Sequence, residues 1–216
     1  RSTRCSPSLR FSSPSVQMAR LGCPPLEVYV RRHPRRPIVV YSDAMFRRLK
    51  PDSSELWYGS RGTPFSRVGF VVFVPGAPRP IVSRLVLPLW VYQHLSQEAA
   101  TLIQQAELIA AVGVYRSLPH LFSNEAVVHF VDNTGALSNL IHGYASRPDC
   151  GRLVNTFHLT LAALRCRAWL EWVPSKANIS DLPSRDDDDA LLDALSAAHL
   201  DGMLEGFDEV AFDLPP

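Results

Sequence analysis

Four acidic residues, Asp43, Glu107, Asp132 and Asp181, stand apart from the other charged residues of the chain, each beside an apolar run or a turn. Asp132 follows the strand-forming run VVHFV and comes directly before Asn-Thr-Gly and a helical pattern. Buried strands tend to be apolar throughout, so an acid at the switch from strand to helix belongs on the rim of a sheet, facing a cleft. Asp43 stands likewise at the end of the run PIVVYSDA, and parallel neighbouring strands deliver their carboxyl-end residues to one edge. Glu107 lies early in LIQQAELIAAVGVYRSL, where a carboxylate is costly unless it is paired or bound to a cation. Asp181 sits in the loop SKANISDLPSR after the last strand pattern, from which it can reach the same edge.

Four carboxylates in one cleft repel each other, and some stay protonated near neutral pH. Divalent cations remove that conflict. Mg²⁺ prefers oxygen ligands and keeps some of its waters, and two such ions about 4 Å apart clamp the attacking and leaving oxygens of a phosphodiester. A set of acids without His or Cys therefore points to Mg²⁺ or Mn²⁺ and phosphoryl chemistry, and away from zinc. Spacing alone is equally compatible with four unrelated surface or capping acids, Asp132 for instance as a turn residue that caps the next helix.

Periodicity supplies the elements that must position these residues. PIVVYSDA reads as a buried strand, and RVGFVVFVPG with RPIVSRLVLP as a hairpin split by Pro-Gly-Ala-Pro. Residues 88–97 suit a short helix, and Thr101 suits the cap of the long helix carrying Glu107, in which Ile103, Ala106, Ile109, Ala110 and Gly113 recur at helical steps. Val127–Val131 is the fourth strand, followed by helices from about Thr134 and over Arg152–Leu164, then the strand RAWLEWVP and an acid-rich helix from about Asp189 to His199. The order β, β, β, α, β, α, α, β, α predicts an α/β fold whose mixed sheet is antiparallel on one side and parallel on the other, with helices on its faces.

With 216 residues and 46% apolar composition, the chain is long enough for one core of ordinary domain size. A net charge of +1 hides an uneven distribution: eight Arg and one acid in residues 1–37, ten acids and no Lys or Arg from Asp186 onward. The middle segment, with fourteen basic and ten acidic residues, would suit a polyanionic partner without demanding one. The cysteines at 5, 23, 150 and 166 form no CxxC pair, so free thiols in a reducing, intracellular setting, cytoplasmic or nuclear, are expected. Neither a membrane span nor a secretory signal is expected. The first residue, Arg1, suits a fragment of a longer chain.

VVYSDA, QQAELIAA, HFVDNTGAL and ANISDLPSR, in this order, resemble the four acidic motifs of the ribonuclease H-like domain carried by reverse-transcriptase polyproteins of retroelements. The most specific stretch, WVPSKANISDLPSR, looks like the segment that ends this domain in tyrosine-recombinase and related retroelements. The resemblance covers residues 37–186 and leaves a basic Pro/Ser-rich linker, 1–36, and an acidic C-terminal helix and tail, 187–216. It implies a ribonuclease H-like mixed five-stranded sheet with helices on both faces. It also implies a metal-dependent endoribonuclease that cleaves the RNA strand of RNA–DNA hybrids as part of a retroelement reverse transcriptase, with a polymerase domain on the same polyprotein. Asp43, Glu107, Asp132 and Asp181 would then be the catalytic ligands of two Mg²⁺ (or Mn²⁺) ions, with Asp43 bridging both. Ser42, Asn133, Asn178 and Lys176 become candidates for contact with the nucleic acid, and the first three also suit turn caps or braces. The alternative reading is a catalytically inactive nucleic-acid-binding module of the same fold.

The chain departs from the family pattern in its last loop, where many members carry a histidine and this sequence reads Pro-Ser-Lys-Ala-Asn, leaving Lys176 or Ser175 as the stand-in. No Tyr-x-Asp-Asp polymerase pattern occurs. Met45 stands where proofreading exonucleases place a Glu, which argues against that use of the architecture. His129 is expected in the core or on a strand face, Trp57 and Trp90 are candidates for base stacking, Trp169 and Trp172 are expected to pack rather than stack, and Arg61, Arg67, Arg79 and Arg84 suit either phosphates or a solvated face. The run Asp186–Asp189 suits the start of a helix, whose dipole favours acids there.

Overall fold

The β-branched run at Ile38 starts β1, which continues to Arg48 in the computed structural model of the chain. The described residues are 36–48, 64–95, 101–198 and 206–215, all within one compact unit, Arg35–Pro216. Residues 1–35 of the expected linker, together with Trp57 and Arg61, lie outside them. β2 (Pro64–Phe73) and β3 (Ile81–Val86) form the expected hairpin, with Gly76 at φ +83°, a conformation that glycine reaches without penalty, in the turn. β4 (Ala126–Val131) and β5 (Arg167–Trp172) complete the strands read from sequence, and a two-residue β6 (Asp208–Glu209) adds a sixth.

The sheet order is β5-β4-β1-β2-β3-β6, antiparallel across β1–β2–β3 and parallel across β1–β4–β5. This is the expected mixed α/β sheet, antiparallel on one side and parallel on the other, with one strand more than the five expected. β1 is longer than its apolar run, because after its parallel ladder with β4 ends at Ser42↔Val131 it stays paired to β2 as far as Arg48↔Pro64. Asp43 is thus mid-strand, and it is the first residue beyond the β4 ladder.

The helices are α1 (Leu89–His94), α2 (Ile103–Ser117), α3 (Pro119–Phe122), α4 (Thr134–His142), α5 (Pro148–Leu164), α6 (Asp181–Arg185) and α7 (Asp188–Ala198), with a 3₁₀ turn at Ser175–Ala177. Alternation along β2 sends Phe70 and Val72 to a core with Leu108, Val112 and Tyr115 of α2 and Val154 and Phe157 of α5. Val71 goes to the opposite face with Leu191 and Leu195 of α7. Helices therefore cover both faces. Two helix starts differ from expectation: Leu102, not Thr101, precedes α2 and makes no side-chain cap bond, and α5 begins at Pro148, whose fixed φ suits a first helical position.

α2 is buried all round from Gln105 to Tyr115, and Ala106, Ala110, Ala111 and Gly113 keep its surface narrow. The segment after β6 uses that narrowness. Phe212 packs over Gly113 and against Phe70, with ring centroids 5.6 Å apart, and a Cβ at Gly113 would overlap its ring. Arg116 pairs with Asp213 at 3.1 Å, and Ser83 Oγ donates to the Val210 carbonyl at 2.7 Å. The C-terminal stretch is therefore partly a packed piece of the domain, which its acidic composition did not reveal.

The hairpin arginines are engaged in ion pairs. Arg84, 20% exposed, makes a two-pronged contact with Asp188 and also reaches Asp186 and Glu209, while Arg67 pairs with Asp186 and Arg79 with Asp208. The Asp186–Asp189 run thus ties α6 and α7 to β3 besides opening a helix. Trp169 and Trp172, expected to pack, are 66% and 48% exposed, because β5 is an edge strand whose packed contribution comes from Ala168 and Leu170. Gly113→Ala should lower stability by about 1–2 kcal/mol, overpacking outweighing the gain in helix propensity. In a Phe212→Ala background, the same change should be neutral or stabilising in a urea-unfolding double-mutant cycle.

Candidate functional site

At the rim where β1 outruns β4, Asp43, Glu107 and Asp132 each present a carboxylate oxygen within 4.8 Å of the others. Three different elements deliver them. β1 carries Asp43 past the end of the parallel ladder, and Asp132 follows the last residue of β4. Glu107 sits in the second turn of the buried helix α2. The Asp132 backbone is held on two sides, by α4, which Asn133 caps by accepting from the Ala136 amide at 2.9 Å, and by Trp172, whose indole donates to the Asp132 carbonyl at 3.1 Å.

Asp43 and Glu107 are each only 3% exposed. Burial, foremost, together with the Asp132 and Asp181 charges, pushes Asp43 up to about 7 from 3.8, against the lowering effect of a hydrogen bond from Ser184. Burial and the Asp43 charge raise Glu107 well above the ordinary carboxylate range, although the Ala44 amide donates to it. The oxygen Oε2 of Glu107 is buried without a hydrogen-bond partner. Two ionised carboxylates 4.8 Å apart repel by roughly 3–4 kcal/mol at an effective dielectric near 20. Converging oxygens, a buried unpartnered one and the absence of His or Cys from the group fit a hard divalent cation.

Asp181 lines the same cleft, of about 360 Å³, but stands outside this close group; its Oδ1 accepts from Arg185 Nε at 2.7 Å. It begins the short helix α6, where the sequence suggested loop, because Asp-Leu-Pro-Ser-Arg closes one turn with Asp186 at φ +66°.

The four candidates for nucleic-acid contact have different fates. Ser42 is fully buried and does not line the cleft: its hydroxyl meets His129 Nε2 at 2.8 Å, and His129 Nδ1 meets the Tyr115 hydroxyl at 3.1 Å. Burial lowers His129 to about 3, so its ring is neutral, and this chain is an interior brace between β1, β4 and α2. Asn178 is buried too, within reach of Asp43, while Asn133 lines the cleft as well as capping α4. Lys176 is exposed on the 3₁₀ turn and does not line the cleft, whereas Ser175 does. Ser184 and Arg185, which sequence reasoning passed over, both act at the acids. Their spacing of three and four residues from Asp181 was the available signal, since such positions share a helix face.

No protein-family model and no curated protein sequence matches the chain. Solved structures do. The N-terminal RNase H domain of a Mycobacterium tuberculosis protein, solved as a fusion with maltose-binding protein, is 19% identical with a TM-score of 0.48, over 74% of this chain and 98% of that one. RNase H1 of the archaeon Halobacterium salinarum is 15% identical with a TM-score of 0.48, over 72% and 99%. The prototype foamy virus protease–reverse transcriptase is 14% identical with a TM-score of 0.44, over 81% of this chain and 23% of that one. Among the described residues, no helix is long and apolar enough to cross a membrane.

The raised carboxyls set a pH dependence. An acid whose folded-state pKa exceeds its unfolded value stabilises the fold fully below the unfolded value, and that contribution is lost as the pH climbs through the folded one. With Asp43 moving from 3.8 to about 7, the protein in chelator should lose on the order of 4 kcal/mol between about pH 4 and pH 8. Added Mg²⁺ or Mn²⁺ should restore stability at about pH 8 and change little at about pH 5, measured as Tm. Glu107→Gln should flatten the slope and remove the response to cation.

Proposed function

We propose that the chain is a metal-dependent endoribonuclease that hydrolyses the RNA strand of RNA–DNA hybrids, working as the ribonuclease H domain of a retroelement reverse transcriptase. The convergence of three carboxylates, two of them buried and one with an unpartnered oxygen, carries the reading. It is a costly arrangement in an intracellular protein unless a cation resolves it, and an all-oxygen group suits Mg²⁺ or Mn²⁺. The choice of hybrid and the retroelement setting rest on the four ordered motifs of the sequence. The basic linker and a polymerase domain on the same polyprotein belong to this proposal.

Asp43, Glu107 and Asp132 would hold the cation, with Asp181 at the mouth of the cleft to complete a second position. When bound, such a pair of ions supplies an activated water and stabilises charge on the attacked phosphate and the leaving oxygen. The chain's own residues orient the strand. Arg185 is exposed, lines the cleft and presents a planar guanidinium suited to a backbone phosphate. Asn133 and Ser175 offer polar groups on the same walls. Asn178, buried beside Asp43, supports the acids. Ser42 lies inside the core, whereas Lys176, exposed on the 3₁₀ turn next to Ser175, keeps its place as a contact for the strand outside the cleft. Ser175 takes the place of the family's loop histidine.

The full chain with Mg²⁺ or Mn²⁺ should cut a labelled RNA–DNA hybrid in its RNA strand, leaving 3′-hydroxyl and 5′-phosphate ends, and should leave duplex DNA intact. Asp132→Asn should reduce cleavage to background while the circular dichroism spectrum stays unchanged. Binding of the hybrid without cleavage by the wild-type chain, under every divalent cation tried, would instead establish the catalytically inactive binding module.

A further inference from the structure

Ser184 is completely buried on α6, three residues after Asp181. Its Oγ lies 2.5 Å from Asp43 Oδ2, as donor to the carboxylate, and 3.0 Å from the Asp181 carbonyl. At the other carboxylate oxygen, Asn178 Nδ2 stands 3.4 Å from Asp43 Oδ1 and 3.3 Å from the Ser42 carbonyl. Asn178 is itself held, its Oδ1 accepting from the Ser180 hydroxyl at 2.6 Å and the Ser180 amide at 3.3 Å. A single short stretch of chain therefore sets one donor at each oxygen of Asp43.

Gly69 makes that approach possible. It lies directly across from Asp43 in the β1–β2 ladder, and a Cβ there would sit 3.0 Å from the Ser184 amide nitrogen and 3.4 Å from the Pro183 carbonyl carbon. Backbone atoms, which cannot swing aside, fill the space that any other residue would need.

A buried hydroxyl at a carboxylate either satisfies a polar group for the sake of folding or fixes that carboxylate for a ligand. The surroundings favour the second role. Asp43 belongs to the acid group, yet its two oxygens carry protein donors while Glu107 Oε2 carries none. An Asp carboxyl turns easily about its last torsion, and repulsion from two neighbouring acids would turn it away from them. Each carboxylate oxygen has two lone pairs, so one donor per oxygen leaves a lone pair on each for a cation. Partners of this kind orient metal ligands, and their loss typically costs about 10–100-fold in affinity.

We propose that Ser184, brought over Asp43 by the Gly69 approach and assisted by Asn178, is a positioning residue that holds the Asp43 carboxylate in its cation-binding orientation. This rests on the reading of Asp43, Glu107 and Asp132 as a divalent-cation site. Ser184 itself contacts neither cation nor substrate.

Mn²⁺ binding to the full chain, followed by titration calorimetry in parallel with Tm in chelator, tests it without reference to cleavage. Ser184→Ala should bind Mn²⁺ about 10–100-fold more weakly than wild type. Ser184→Thr, which keeps the hydroxyl, should stay close to wild type. Gly69→Ala, which keeps Ser184 but displaces its backbone, should weaken binding as Ser184→Ala does. Folded Ser184→Ala with wild-type affinity, or Ser184→Thr as weak as Ser184→Ala, overturns the positioning role while leaving the cation site standing. Should Ser184→Ala not fold, the Thr and Gly69→Ala pair decides on the same terms. A wild-type chain that takes up no Mn²⁺ fails one step earlier, at the cation site, and removes this role with it.

Discussion

Mutual repulsion among Asp43, Glu107 and Asp132 is the constraint around which the rest of the domain is arranged. Two of these carboxyls are almost wholly out of water, and each neighbour raises the cost of ionising the next. A fold left to minimise its own free energy would scatter them or cover them with arginines. Here the acids are instead held together by three separate elements, with an unpartnered oxygen among them. Strain of this sort persists only where the surrounding structure over-determines it, and the surroundings do so from several directions.

The first of these is the central helix. α2 carries Glu107, and its line of alanines with Gly113 lets sheet, α5 and the C-terminal segment all close on it. A helix buried on every side has little freedom to rotate or slide, so Glu107 cannot retreat to solvent. The second is the sheet itself, where β1 runs on beyond β4 and leaves Asp43 at an opening instead of within a closed ladder. The third is the segment from Asn178 to Asp188. It lies over the sheet at Gly69, is bound to β3 through Arg84, carries Asp181 and Arg185 to the cleft, and sets the buried Ser184 hydroxyl against Asp43.

Not every polar cluster near the acids belongs to their chemistry. Ser42, His129 and Tyr115 form a hydrogen-bonded row one residue from Asp43, and a serine beside a histidine invites a catalytic reading. All three are fully buried, and burial keeps the histidine neutral. Their bonds join β1, β4 and α2 in the core, the same three elements that supply the acids. A satisfied buried network of this kind specifies a single arrangement of the elements it joins.

Much of this was legible in the chain by itself. β-Branched runs ending in acids marked β1 and β4 and placed Asp43 and Asp132 at a sheet rim, and helical spacing with a lone Glu marked α2. Those are local properties, carried by side-chain volume and period, so one sequence can state them. Tertiary structure decided what depends on neighbours distant in sequence. Whether Asp43 lay at a strand end was a matter of pairing with β2, and the exposure of Trp169 and Trp172 followed from β5 lying at the edge. The acidic tail became a packed segment only because a glycine on α2 had left room for Phe212. Ser184 acquired its place at Asp43 from Gly69, more than a hundred residues earlier, through a backbone contact that composition and period do not encode. The residue types that can do the chemistry are written locally, whereas their distances and their burial, which settle whether a cation is needed, are set by the folded chain.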